Sequence, residues 1–164
     1  SEDFMDLVLE VRPAQVTLVP DPPGVLTSNA GWDARAHKAL LTGVVGRLKE
    51  AGIRTSVFMG TDTGLIGHVA DTGVDRIELY TGPYASGYHH DRDAAVAPFV
   101  QAAEHAARLG LGLNAGHDLD LDNLAFFKNN IPGLLEVSIG HALVCDALRY
   151  GMENTVALYL RELR

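Results

Sequence analysis

A chain of 164 residues with 47% hydrophobic and 21% charged side chains is too apolar for a disordered or fibrous protein. It has the length for one core, burying roughly 70% of the surface the unfolded chain exposes. The net charge of −8 and isoelectric point near 5.2 leave no basic face for a nucleic-acid backbone, but small phosphorylated ligands stay open, because backbone N–H groups at a helix N-terminus hold them without cationic side chains.

No apolar run approaches membrane-spanning length, and no basic-then-apolar leader opens the chain. The single Cys145 excludes an intramolecular disulfide. Set in an apolar helical pattern, it reads as a small buried hydrophobe in a reducing compartment, so a cytoplasmic location is expected.

Helix-like and strand-like segments alternate along the whole chain. Phe4, Leu7, Val8 and Val11 recur at helical spacing with Pro13 just beyond, so the chain opens in a helix. Gln15 to Val19 is the first strand, followed by a long loop, Pro20 to Trp32, that contains Pro20-Asp21-Pro22-Pro23-Gly24 and Thr27-Ser28-Asn29. Asp33 can cap a helix whose buried stripe is Leu41, Val44, Val45 and Leu48, closed by Gly52. Ile53 to Met59 is the second strand. Asp62 starts a shorter helix with Leu65, Ile66, Val69 and Ala70 inward, and Arg76 to Thr81 is the third strand. A loop rich in Gly, Tyr and His then leads to a helix carrying Phe99, Val100, Ala103 and Ala107, with Pro98 tolerable only near its first turn. Leu111 to Gly116 is the fourth strand, Leu121 to Asn130 a helix, and Leu134 to Gly140 the fifth strand. His141 to Leu163 closes the chain as a helix kinked near Gly151.

Strands separated by helical crossovers imply a parallel sheet. Two architectures fit: a five-stranded doubly wound sheet, or part of an eight-stranded βα barrel. Two features lean toward the barrel. The opening helix precedes any strand, as if its own strand had been cut away, and polar residues stand at several strand ends, namely Glu78, His117 and His141. No Gly-x-Gly-x-x-Gly follows the first strand, as a dinucleotide-binding sheet would prefer. Two consecutive strands finish in Gly-His, at Gly116-His117 and Gly140-His141, and ligands of parallel α/β folds bind just outside strand C-termini. Other constellations fail. Asp118, Asp120 and Asp122 alternate like the start of a calcium loop, but Asn123 and Asn129 replace its glycine and bidentate glutamate, so helix capping is the better reading. His89-His90-Asp91 has no third ligand at useful spacing, and serine-nucleophile and P-loop signatures are absent.

The succession Leu18-Val19-Pro20, Thr27-Ser28, Gly52-Ile53-Arg54-Thr55-Ser56-Val57-Phe58, Ile77-Glu78-Leu79-Tyr80-Thr81-Gly82-Pro83-Tyr84-Ala85, Leu113-Asn114-Ala115-Gly116-His117-Asp118-Leu119 and Val137-Ser138-Ile139-Gly140-His141-Ala142 resembles the pyridoxine 5′-phosphate synthases of vitamin B6 biosynthesis. The match runs in order over essentially the whole chain. It implies a (βα)8 barrel of which residues 1–164 form one α/β domain, the C-terminal portion carrying strands four to eight. The first three strands, with the family's basic catalysts, then fall outside it.

The resemblance also implies an enzyme that condenses 1-deoxy-D-xylulose 5-phosphate with 3-amino-1-hydroxyacetone 1-phosphate and releases phosphate and water. It uses no metal or organic cofactor and assembles as a homo-octamer. Carried over residue by residue, His117 matches the proton donor, a role an imidazole titrating near neutrality can fill. Glu78 matches a transition-state stabiliser, and a carboxylate inside Ile77-Glu78-Leu79 requires a partner if buried. Gly140 and His141 match a phosphate-binding pair where the last helix begins. Thr27 matches a ligand of the deoxyxylulose phosphate. Asp118 matches a substrate contact made at a position where some members have glycine, so a contact through the backbone is implied there.

Overall fold

The computed structural model describes residues 2–21 and 24–164. Ser1 and the Pro22-Pro23 pair expected in the first loop lie outside the described residues. The strands are β1 (Gln15–Leu18), β2 (Arg54–Met59), β3 (Arg76–Tyr80), β4 (Gly112–Gly116) and β5 (Leu134–Ser138). Helix α1 (Glu2–Val11) precedes them; α2 (Lys38–Glu50), α3 (Thr63–Ala70), α4 (Gly82–Arg108) and α5 (Leu124–Asn130) connect them, and α6 (His141–Tyr150) and α7 (Met152–Glu162) follow.

Every strand pairing is parallel, and the order across the sheet is β1-β2-β3-β4-β5. Each crossover therefore advances by one strand in the same direction. A doubly wound sheet reverses direction at a switch point, so that alternative fails, whereas a sheet that never reverses carries its helices on one side and curls as a βα barrel does. The two faces agree with this. Val57, Ile77, Leu79, Leu113 and Ala115 pack outward into one core with Leu41, Val45, Ile66, Val69, Phe99 and Phe127 from the helices. On the opposite face Phe58, Glu78, Asn114 and Glu136 stand side by side in register, forming a largely polar inner wall.

Local chemistry explains several element boundaries. The Asp33 carboxylate accepts hydrogen bonds from the N–H groups of Arg35 and Ala36 at 3.1 and 3.0 Å, starting a turn that becomes regular helix at Lys38. Asp62 caps α3 by accepting from the Leu65 N–H at 3.0 Å. Gly52, at φ 75°, supplies the left-handed residue between α2 and β2.

Several expectations are corrected. The opening helix buries Met5 and Val8, against Leu48 and Ile53, while Phe4, Leu7 and Val11 are exposed; its buried stripe is rotated because α2 and the sheet offer a surface on that side alone. The segment from Gly82 to His90, expected as a loop, is the first half of α4. Its helix is anchored from outside: Tyr84 is fully buried, with its ring 4.9 Å from Phe127 between centroids, and its hydroxyl donates to the Asn123 carbonyl at 2.7 Å. Tyr88, one turn on, donates to the Asp122 carbonyl at 2.9 Å. Tertiary packing here outweighs the low helix propensity of glycine and histidine.

Asp91 breaks α4 with φ −155° and caps its second half by accepting from the Ala94 N–H at 3.0 Å. Pro98 thus lies inside that half instead of in its first turn, and the carbonyl it leaves unpaired belongs to exposed Ala94, where water can reach it. Ala106, not Ala107, continues the buried stripe. The closing helix is two helices separated by Gly151 at φ 81°. Cys145 is exposed, not buried, because α6 turns Ala142, Leu143, Asp146 and Ala147 toward the protein and Cys145 away from it.

Candidate active site

The ends of β4 and β5 touch through backbone. A Cβ on Gly116 would lie 2.0 Å from the Ser138 carbonyl oxygen, so glycine alone allows the approach. His117 follows at φ 59°, a left-handed conformation uncommon outside glycine, and its N–H donates to that same Ser138 oxygen at 2.8 Å. The Thr81 hydroxyl completes the turn, donating to the Gly116 carbonyl and accepting from the Asp118 N–H.

This backbone presents the His117 imidazole between two partners. Nδ1 lies 3.0 Å from Asp118 Oδ2, and Nε2 lies 2.7 Å from Thr27 Oγ1. The His141 ring is 6.3 Å away between centroids, and Tyr80 approaches at 6.4 Å edge to face. Thr27 reaches the imidazole from the loop after β1, whose far end is fastened to the strand tips. There the Trp32 N–H donates to the Phe58 carbonyl and the indole to the Leu18 carbonyl, both at 3.0 Å.

Glu78 projects from the inner wall and is 7% exposed. Burial pushes its carboxyl pKa above the usual carboxylate range. The Thr17 hydroxyl, donating at 3.1 Å, and nearby His117 act in the opposite direction, and Glu136 adds to the rise. On the same wall Glu136 bridges Arg54 at 2.8 Å and Arg76 at 3.0 Å, while Arg76 also donates to Asn114 Oδ1 at 3.0 Å.

A cavity of about 500 Å³ opens above this wall, lined by Thr17, Phe58, Glu78, His117, Gly140 and His141 among others. No lysine or arginine is among the described residues that line it. Nothing lies within 4 Å of the position a Gly140 Cβ would take, so packing does not dictate glycine at the start of α6 and the backbone there is open to approach.

The family model described as pyridoxal phosphate biosynthesis protein PdxJ matches residues 1–164. The chain belongs to the PdxJ family. It is 60% identical over 96% of its length to the pyridoxine 5′-phosphate synthase of Parabacteroides distasonis, and 55% identical over 99% to that of Cytophaga hutchinsonii. It spans about two thirds of these relatives, 66% and 68% of their respective lengths. Among solved structures, the tryptophan synthase A-subunit of Pyrococcus furiosus aligns with a TM-score of 0.58 at 17% identity, covering 98% of this chain and 60% of that one. A dihydrodipicolinate synthase aligns with a TM-score of 0.51 at 13% identity, covering 99% and 72%. These likenesses concern the fold alone, and they agree with a partial βα barrel.

Of the six residues singled out in the sequence, four line this cavity and two adjoin it through His117. Glu78, His117, Gly140 and His141 line it, and Thr27 and Asp118 bond to the imidazole. Thr17, Phe58 and Tyr80 were not anticipated. Strand alternation could have found Thr17 and Phe58, since each sits on the same face as Glu78, whereas the loop-mediated meeting of Thr27 with His117 has no local signal. Asp120 does cap the start of the next helical turn, accepting from the N–H groups of Asp122 and Asn123 at 3.0 Å. Among the described residues no group of three or more His, Cys, Asp or Glu side chains could hold a metal ion, and no helix is long and apolar enough to cross a membrane.

Proposed function

We propose that this chain is the C-terminal part, strands four to eight, of a pyridoxine 5′-phosphate synthase that condenses 1-deoxy-D-xylulose 5-phosphate with 3-amino-1-hydroxyacetone 1-phosphate. The observation that carries the reading is the convergence of the two Gly-His strand ends on one cavity, with imidazole rings 6.3 Å apart. His117 is the proton donor to departing oxygen, because it lines the cavity and its Nε2 meets a hydroxyl at 2.7 Å, the geometry a substrate oxygen would adopt. Glu78 stabilises positive charge that develops on nitrogen-bearing intermediates. Burial raises the free energy of its ionised form, so a cation beside it is correspondingly favoured.

Gly140 and His141 receive a phosphate. With no lysine or arginine lining the cavity among the described residues, the unpaired N–H groups and positive dipole end of α6 are the anion's main partners. Thr27 and Asp118 contribute substrate contacts. The complete enzyme works without metal or organic cofactor as a cytoplasmic homo-octamer. Supplying both substrates to the full eight-stranded protein should yield pyridoxine 5′-phosphate and inorganic phosphate, with neither substrate alone giving product. Turnover of a single sugar phosphate without the amine would instead identify an isomerase or epimerase.

A further inference from the structure

The carboxylate of Asp118 is oriented toward His117 and its own backbone N–H is already engaged, donating to the Gly116 carbonyl at 2.8 Å and to Thr81 Oγ1 at 3.1 Å. Position 118 therefore acts on the site through its side chain. That side chain lies 3.0 Å from Nδ1 of His117 on the opposite edge of the ring from Thr27.

A neutral imidazole carries one proton on one of two nitrogens. A carboxylate can only accept, so its contact with Nδ1 requires the proton there, and Nε2 is left with its lone pair. The Thr27 hydroxyl can serve either state of Nε2, donating to the lone pair or accepting from N–H once the ring is charged. Among the described residues the carboxylate is the partner at Nδ1 that selects a tautomer.

We propose that Asp118 is a positioning residue that holds the Nδ1 proton of His117 and so commits Nε2, the nitrogen at Thr27, to proton exchange with the substrate. This deepens the assignment of His117 as proton donor and rests on it for the catalytic consequence, whereas the tautomer itself is independent of that assignment. The left-handed backbone at His117 fits the same purpose, since it brings the side chains of two consecutive residues together on one side of the chain.

The test is ¹⁵N spectroscopy of histidine-labelled full-length protein, with the His117 signals assigned by their loss in His117→Gln. The wild type should show a protonated Nδ1 and an unprotonated Nε2 for the neutral ring. Asp118→Ala should shift the ring to the Nε2-protonated form, while Asp118→Asn, whose amide oxygen still accepts, should retain the Nδ1 proton. A wild-type ring protonated on Nε2, or an unchanged spectrum in Asp118→Ala, would overturn the proposal. In turnover, Asp118→Ala should lower kcat about 10- to 100-fold, by analogy with carboxylates that hold the second nitrogen of a metal-ligating histidine, with KM for both phosphates changed less than kcat. A shifted tautomer with undiminished kcat supports the positioning and removes His117 from the role of proton donor.

Discussion

At the scale of single residues, Gly116 and Glu78 make opposite demands on the fold. Replacing Gly116 by alanine places a methyl group 2.0 Å from the Ser138 oxygen, which forces the tips of β4 and β5 apart. A loss of about 1–3 kcal/mol is expected, together with displacement of His117, and thermal unfolding with the His117 ring signals would read both. Glu78→Gln should do the reverse to stability. The carboxyl pKa is raised mainly by burial, so the folded state favours the protonated form; this contribution is present at low pH and is lost as pH rises through the folded pKa. The glutamine variant should therefore melt higher than wild type above that pKa, the difference closing as pH falls below it, and should be catalytically impaired in the full-length protein. A lower melting temperature at neutral pH would show that Thr17 and His117 outweigh burial. His117→Ala should leave the melting temperature nearly unchanged and lower product formation by about 10²–10⁴-fold.

Among the elements, those whose cues lie within a few residues were legible in the sequence. Asp62 caps α3 as its position ahead of Leu65, Ile66 and Val69 foretold, and Asp62→Ala should cost about 1 kcal/mol by thermal denaturation. The strands were equally plain, because Ile77 and Leu79 alternate with Glu78 and the chain spells out which face packs against the helices. The first half of α4 was hidden because what makes Gly82 to His90 helical is Phe127 and two carbonyls, those of Asp122 and Asn123, distant in sequence. Cys145 was misread for a related reason. Apolar residues recur around α6, and only the placement of neighbouring helices decides which of its faces is inward.

For the whole molecule, the sequential strand order separates the two architectures that composition left open, and it also leaves β1 and β5 each with one strand partner among the described residues. Leu135 on β5 and Val144 and Leu148 on α6 are exposed near that boundary. A chain of these 164 residues produced alone is expected to self-associate through its open edges and to make no pyridoxine 5′-phosphate. Sedimentation velocity and a product assay would check the two halves of that expectation, and an active monodisperse monomer would contradict both.

The contact between Gly116 and Ser138 sets a length as well as a shape. His117 hangs from the last residue of one strand and its N–H is tied to the last residue of the next, from which Ser138-Ile139 leads directly to Gly140 and His141. The proposed proton source and the proposed anion seat are thus mounted on the same stiff piece of sheet and cannot slide relative to each other as side chains on separate loops could. The sheet then acts as a ruler, and a substrate analogue with one carbon more or fewer between phosphate and departing oxygen should lose rate more than it loses affinity.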